Sequence, residues 1–142
     1  MVVDDSPAVA VSLLTLLRNE GFDPVVFQSG QPALDFIRQN RPEIALIDIH
    51  LPDIPGLEIA RQIRELHGAT LPIIICSGDS SLDALLALPD AGATYFFHKP
   101  ISVSRLMACL REITLDLRKA PGDSTPPPRG AAYPSDFNST AM

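Results

Sequence analysis

The chain has 142 residues, 46% of them apolar and 20% charged, which leaves room for one domain of ordinary size with a real core. Its net charge of -6 argues against a surface built to hold nucleic acid, which needs clustered Lys and Arg. No apolar run approaches the roughly 20 residues that span a bilayer, and the N-terminus lacks the basic and apolar segments of a secretory signal, so a cytoplasmic protein with no membrane contact is expected.

In chain order, Met1-Val2-Val3 reads as a first strand. Ser6-Pro7 then opens a helix, Val9, Leu13, Leu16 and Leu17 mark its apolar face, and Asn19-Glu20-Gly21 ends it. Pro24-Val25-Val26-Phe27 is a second strand, and Ser29-Gly30 begins a helix whose face carries Leu34 and Ile37. Ile44-Ala45-Leu46-Ile47 is a third strand, followed by a helix through Leu57, Ala60 and Ile63 that closes at Leu66-His67-Gly68. Pro72-Ile73-Ile74-Ile75-Cys76 is a fourth strand, followed by a leucine-rich helix, and Tyr95-Phe96-Phe97 is a fifth. A last helix carries Leu106, Leu110, Ile113 and Leu117. Continuous apolar runs of this kind suit strands buried on both faces. Cys76 in the fourth strand and Cys109 in the last helix lack C-x-x-C spacing and read as buried thiols, not a disulfide or metal site.

Five alternations of strand and helix predict an α/β domain, a doubly wound parallel sheet with helices on both faces, over residues 1–118. Residues 119–142 change character: Pro121, Pro126, Pro127, Pro128 and Pro134 lie among Gly, Ser, Thr and Ala. Such a composition does not offset the entropy of ordering, so a disordered tail or linker is expected there.

Ligands of doubly wound sheets gather at the carboxyl ends of the strands. The residues that end or follow the apolar runs are Asp4-Asp5, Asp48, Ser77 and Lys99. Each has a bland alternative: Asp4 and Asp5 as helix N-terminal charges, Ser77-Gly78 as a turn, and Lys99 as the one lysine that composition happens to place before residue 119. Asp48 is harder to dismiss, because a carboxylate set directly after a buried strand costs solvation energy unless it has a partner. Together, three converging carboxylates predict a hard divalent cation, Mg²⁺ by preference. A hydroxyl and an ammonium complete a site suited to phosphoryl oxygens.

These residues resemble the response-regulator receiver family, typified by the chemotaxis response regulator. The resemblance rests on Asp4-Asp5, the segment Asp48-Ile49-His50-Leu51-Pro52-Asp53-Ile54-Pro55-Gly56, Ser77-Gly78, Ala91-Gly92-Ala93 and Lys99-Pro100. It implies a flavodoxin-like, five-stranded sheet of order 2-1-3-4-5 with five helices, and a regulatory phosphoacceptor domain, not an enzyme with its own substrate. It further implies that Asp48 takes a phosphoryl group from a sensor histidine kinase, a phosphotransfer protein or a small donor such as acetyl phosphate. Mg²⁺ would be held by Asp5, Asp48 and the backbone carbonyl of His50, with Asp4 acting through water. Ser77 and Lys99 would hold the phosphoryl oxygens, and the Lys99-Pro100 peptide would be cis. Ser77 and Phe96 would form the switch, signalling to a downstream protein target or a homodimer partner through the fourth helix, fifth strand and fifth helix.

Four features, two of them departures from the family pattern, carry expectations of their own. Phe96 has no hydroxyl, so its signal would be steric or apolar; a plain core role is the alternative. Pro89, after Leu82, Leu85, Leu86 and Leu88, should shorten or bend the fourth helix. His50 stands where side chains of this family tune the lifetime of the phosphoryl group, with an idle solvent-facing imidazole as the alternative. The run before the acidic pair is short, which predicts either a misplaced start or marginal stability, at roughly 1.5–3 kcal/mol for each missing apolar residue. Competing readings are a phosphorylation-independent scaffold, the receiver part of a longer DNA-binding regulator or hybrid kinase, and an aspartyl phosphatase. The last would normally carry a second acid at position 50, which is His.

Overall fold

The computed structural model describes residues 1–78 and 81–119. Of the expected tail, residues 119–142, Lys119 is the last residue of the final helix and residues 120–142 lie outside the described residues. The elements are β1 (Val2–Val3), α1 (Pro7–Asn19), β2 (Val26–Phe27), α2 (Gly30–Gln39), β3 (Ala45–Asp48), α3 (Gly56–His67), β4 (Ile73–Ser77), α4 (Leu82–Ala91), β5 (Tyr95–His98) and α5 (Val103–Lys119). All strand pairs are parallel, in the order β2-β1-β3-β4-β5, as the resemblance implies.

Side chains alternate across a strand, and here both faces are apolar. Val3, Ala45, Ile47, Ile73, Ile75 and Phe96 pack with α2, α3 and α4 through residues such as Leu34, Ile59, Ile63 and Leu88. Val2, Leu46, Ile74, Cys76 and Phe97 pack with α1 and α5 through Leu13, Leu17, Leu106, Met107, Leu110 and Ile113. The two cysteines are buried free thiols, and burial raises the pKa of both. β1 is short but central: Val2 pairs with Val26 on one side and Leu46 on the other. Met1 extends the ladder, its amine donating to Ile44 O at 2.8 Å and its carbonyl accepting from Leu46 N at 2.9 Å.

The caps show how the helices are aimed. Ser6 accepts from Val9 N at the start of α1, and Gly68, with φ 81°, ends α3, as their residue types predict. Pro89, expected to shorten or bend α4, lies inside it, and the helix continues through Asp90 and Ala91. The buried Leu88 and Ala91 anchor this last turn. Gly92, left-handed at φ 83°, closes it by donating its N–H to the Leu88 and Pro89 carbonyls, so one proline near a well-capped end is tolerated.

Candidate functional site

The strand order reverses between β1 and β3, and the residues at that point are Asp4, one past the end of β1, and Asp48, the last of β3. Both are buried, while Asp5 beside them is exposed. One carboxylate oxygen from each of the three lies within 4.8 Å of the others. Lys99 follows β5, and its Nζ donates to Asp4 Oδ2 at 2.8 Å and to Asp48 Oδ2 at 3.0 Å. Burial works against the lysine's charge, but the hydrogen bonds and fields of Asp4 and Asp48 more than offset it, and its pKa is held above the ordinary value. The crevice therefore contains two buried anions, one exposed anion and one cation, a net negative charge that favours a further cation. Carboxylate oxygens are hard ligands, so the donor set fits Mg²⁺.

Local backbone geometry fixes these groups. Ser6 N donates to Asp4 Oδ1 at 3.0 Å, and His50 N donates to Asp48 Oδ1 at 3.2 Å. The loop after Asp48 doubles back, with Gly56 N donating to Ile49 O at 2.8 Å. A Cβ on Gly56 would collide with the Asp48 carbonyl oxygen, so only glycine lets α3 start this close to β3. Ser77, fully buried, is the last residue of β4, and its carbonyl accepts from Lys99 N at 2.9 Å. The Lys99-Pro100 peptide is cis. Phe96 is 3% exposed and belongs to the core beside Leu88, Ala91 and Ala93, whereas His50 is exposed. His67 stands apart from the site, its Nε2 2.7 Å from the Ile37 carbonyl oxygen.

Two further side chains, with no role of their own expected from the sequence, tie distant loops together: Asp53 at this end of the sheet and Arg64 at the amino ends of β4 and β5. Asp53, in the loop after Asp48, accepts hydrogen bonds from Gly30 N at 2.7 Å and Gln31 N at 2.8 Å. Those bonds lower its pKa. Arg64 of α3 donates to the carbonyls of Gly68, Leu71 and Gly92 and to Thr94 Oγ1. In both cases the partner is a backbone group more than 20 residues away in at least one bond, and no side-chain pattern reveals that.

Residues 1–111 match the family model described as the response regulator receiver domain. The transcriptional regulatory protein CreB of Escherichia coli K12 is 35% identical over 127 residues, covering 89% of this chain and 54% of CreB. Response regulator MprA of Mycobacterium sp. strain KMS is 36% identical over 126 residues, covering 89% of this chain and 53% of its own. The chain thus spans about half the length of these relatives. Among solved structures, a CheY-like receiver domain protein from Methanospirillum hungatei superimposes with a TM-score of 0.78 at 26% identity, covering 84% of this chain and 95% of that one. The receiver domain of the Francisella response regulator 1452 gives 0.72 at 25% identity, with 79% and 92% covered.

Proposed function

The chain belongs to the response regulator receiver domains of two-component signalling, and from that premise we propose that Asp48 is its phosphoacceptor. The observation that carries this reading is the convergence of Asp4, Asp5, Asp48 and Lys99 on one crevice, with Lys99 Nζ bridging the two buried carboxylates. In the proposed step a carboxylate oxygen of Asp48 bonds to phosphorus as the P–N bond of a phosphohistidine breaks, the electron pair leaving with the imidazole. With acetyl phosphate a P–O bond breaks and acetate leaves.

Asp5, Asp48 and the His50 carbonyl, with Asp4 acting through water, would hold Mg²⁺, which would supply neutralisation of charge on the phosphoryl oxygens. Lys99 places a second positive charge against those oxygens, and the Ser77 hydroxyl moves toward them. Phe96 turns with that movement and changes the shape of the α4, β5 and α5 face, through which the domain reaches a downstream protein or a second copy of itself. His50, exposed beside the acceptor, controls the approach of water to the phosphorylated Asp48. Membership of the receiver family supports a cytoplasmic encounter with a sensor histidine kinase or a phosphotransfer protein; among the described residues no helix is long and apolar enough to cross a membrane.

The relatives' doubled length supports a second reading of context. In it these residues are the receiver of a longer regulator, and any contact with DNA belongs to a separate segment.

The test is intact mass after incubation with acetyl phosphate and Mg²⁺. The parent gains the mass of one phosphoryl group and Asp48→Asn does not. A parent that stays unmodified with acetyl phosphate and also with a cognate kinase, while remaining folded, returns the chain to the scaffold reading.

A further inference from the structure

The segment from Asp48 to Gly56 supplies the acceptor and, on the reading above, a backbone ligand for Mg²⁺ at His50. It is fastened near its start by His50 N to Asp48 Oδ1 and closed by Gly56 N to Ile49 O. Its outer turn, residues 51–55, is held differently. The Asp53 carboxylate straddles the first turn of α2, Oδ1 accepting from Gly30 N and Oδ2 from Gln31 N, while Oδ1 also accepts from Ile54 N at 2.9 Å. α2 has need of this contact. Its N-cap residue Ser29 makes no side-chain capping bond and its first turn contains no acidic residue, so the helix N-terminus takes its negative charge from another loop.

The close approach is built into the backbone. Gly30 is buried, and a Cβ there would come 2.8 Å from Ile54 Cβ and 3.2 Å from Asp53 Oδ1. A side chain at position 30 would push the loop off the helix. Leu51 and Ile54, the partly buried residues on either side of Asp53, pack against the α2 and α3 core, so the clamp joins a carboxylate anchor to an apolar one.

We propose that Asp53 is a positioning residue for the Mg²⁺ site, holding in place the loop whose His50 carbonyl would be a ligand. This rests on Asp48 being the Mg²⁺-dependent acceptor. The physical argument is that a loop fastened only at its two ends samples more orientations of the peptide between them. A metal ligand on that peptide then pays the ordering entropy on binding. Partners that orient a ligand without touching the metal are worth about 10–100-fold in affinity when they bond to it directly. Asp53 acts through three residues of loop, so the effect expected is smaller, about three- to ten-fold.

The experiment is an amide-resolved NMR titration of the full chain with Mg²⁺, comparing parent, Asp53→Ala, Asp53→Asn and Asp48→Asn, with a thermal melt of each. In the parent the Ile49 and His50 amides shift and saturate, and in Asp48→Asn the response is lost or much weakened. Asp53→Ala remains folded and reaches half-saturation at about three- to ten-fold more Mg²⁺, with the Gly30 and Gln31 amides displaced. Asp53→Asn, which keeps an acceptor oxygen for one of those amides, falls between the two and carries the test if the alanine variant does not fold. An unchanged half-saturation in both variants, despite displaced Gly30 and Gln31 amides, overturns the proposal and leaves Asp48 as acceptor untouched. A parent whose Ile49 and His50 amides ignore Mg²⁺ sinks both readings together.

Discussion

Lys99 sets the charge balance of the crevice. Its side chain is 25% exposed, while those of Asp4 and Asp48 are 5% and 7% exposed, so the lysine can partly be replaced by water but the carboxylates cannot reach it. Removing the ammonium leaves two buried anions facing each other. Breaking a fully buried pair costs about 3–5 kcal/mol, and the partial exposure here reduces that to roughly 1–3. Lys99→Ala should therefore lose about that much unfolding free energy in Mg²⁺-free buffer. Mg²⁺ should return most of it, raising the melting temperature more in the variant than in the parent, because the ion meets carboxylates with no competing cation. Equal rises in differential scanning calorimetry would show that Lys99 is not what balances them. At this scale the sequence was informative wherever a residue stands at the end of an apolar strand, as Asp48 and Lys99 do, because burial makes a charge there costly and hence conspicuous. Asp53 follows Pro52 in a loop, where an aspartate is an ordinary turn residue; it lies in the segment that carries the family resemblance, but nothing along the chain shows that its carboxylate reaches Gly30 and Gln31.

At the scale of elements, helix faces and glycine stops were legible because periodicity and capping are local. The seating of one helix on another was not. Arg64 shows why. It rises from the last turn of α3 and donates to the Gly92 carbonyl through both Nε and Nη2 at 2.9 and 2.6 Å, to Leu71 O at 2.6 Å and to Gly68 O at 3.1 Å. It thereby ties the end of α3 to the approach to β4 and to the turn between α4 and β5. A Cβ at Gly92 would lie 2.6 Å from Arg64 Cγ, so the left-handed glycine that ends α4 also makes room for the arginine. Arg64→Ala strips partners from carbonyls at Leu71 and Gly92, and at about 1–3 kcal/mol for each buried group left unsatisfied it should cost roughly 2–4 kcal/mol in urea unfolding. Arg64→Lys should recover only a fraction, since a single ammonium cannot fork between two loops. A lysine variant as stable as the parent would mean that charge, not the guanidinium's geometry, holds the two loops together. Pro89 belongs to the same scale: its effect on α4 depends on the cap at Gly92 and the anchors Leu88 and Ala91, which a reading of proline alone does not weigh.

For the molecule as a whole, the parallel α/β alternation was the most legible feature, because five apolar runs separated by helical segments call for right-handed crossovers within one sheet, whereas the strand order followed only from the resemblance to the receiver family. Both sheet faces are closed by residues that precede Arg118: α1 and α5 cover one through Leu13, Leu106, Leu110 and Ile113, and α2, α3 and α4 cover the other. The family match also ends within α5, at residue 111. Among the described residues the last core side chains are Ile113 and, partly buried, Leu117, and a domain boundary near residue 118 is proposed on that ground. A chain ending at Lys119 should then unfold within about 0.5 kcal/mol of the full chain, the scatter typical of changes remote from a core. It should also accept a phosphoryl group from acetyl phosphate at the same rate. Both properties must persist together. A shortened chain that keeps its stability but labels at a different rate would place residues 120–142 in contact with the crevice. A loss of more than about 1 kcal/mol would make them part of the folded unit, and the boundary would have to move toward the C-terminus.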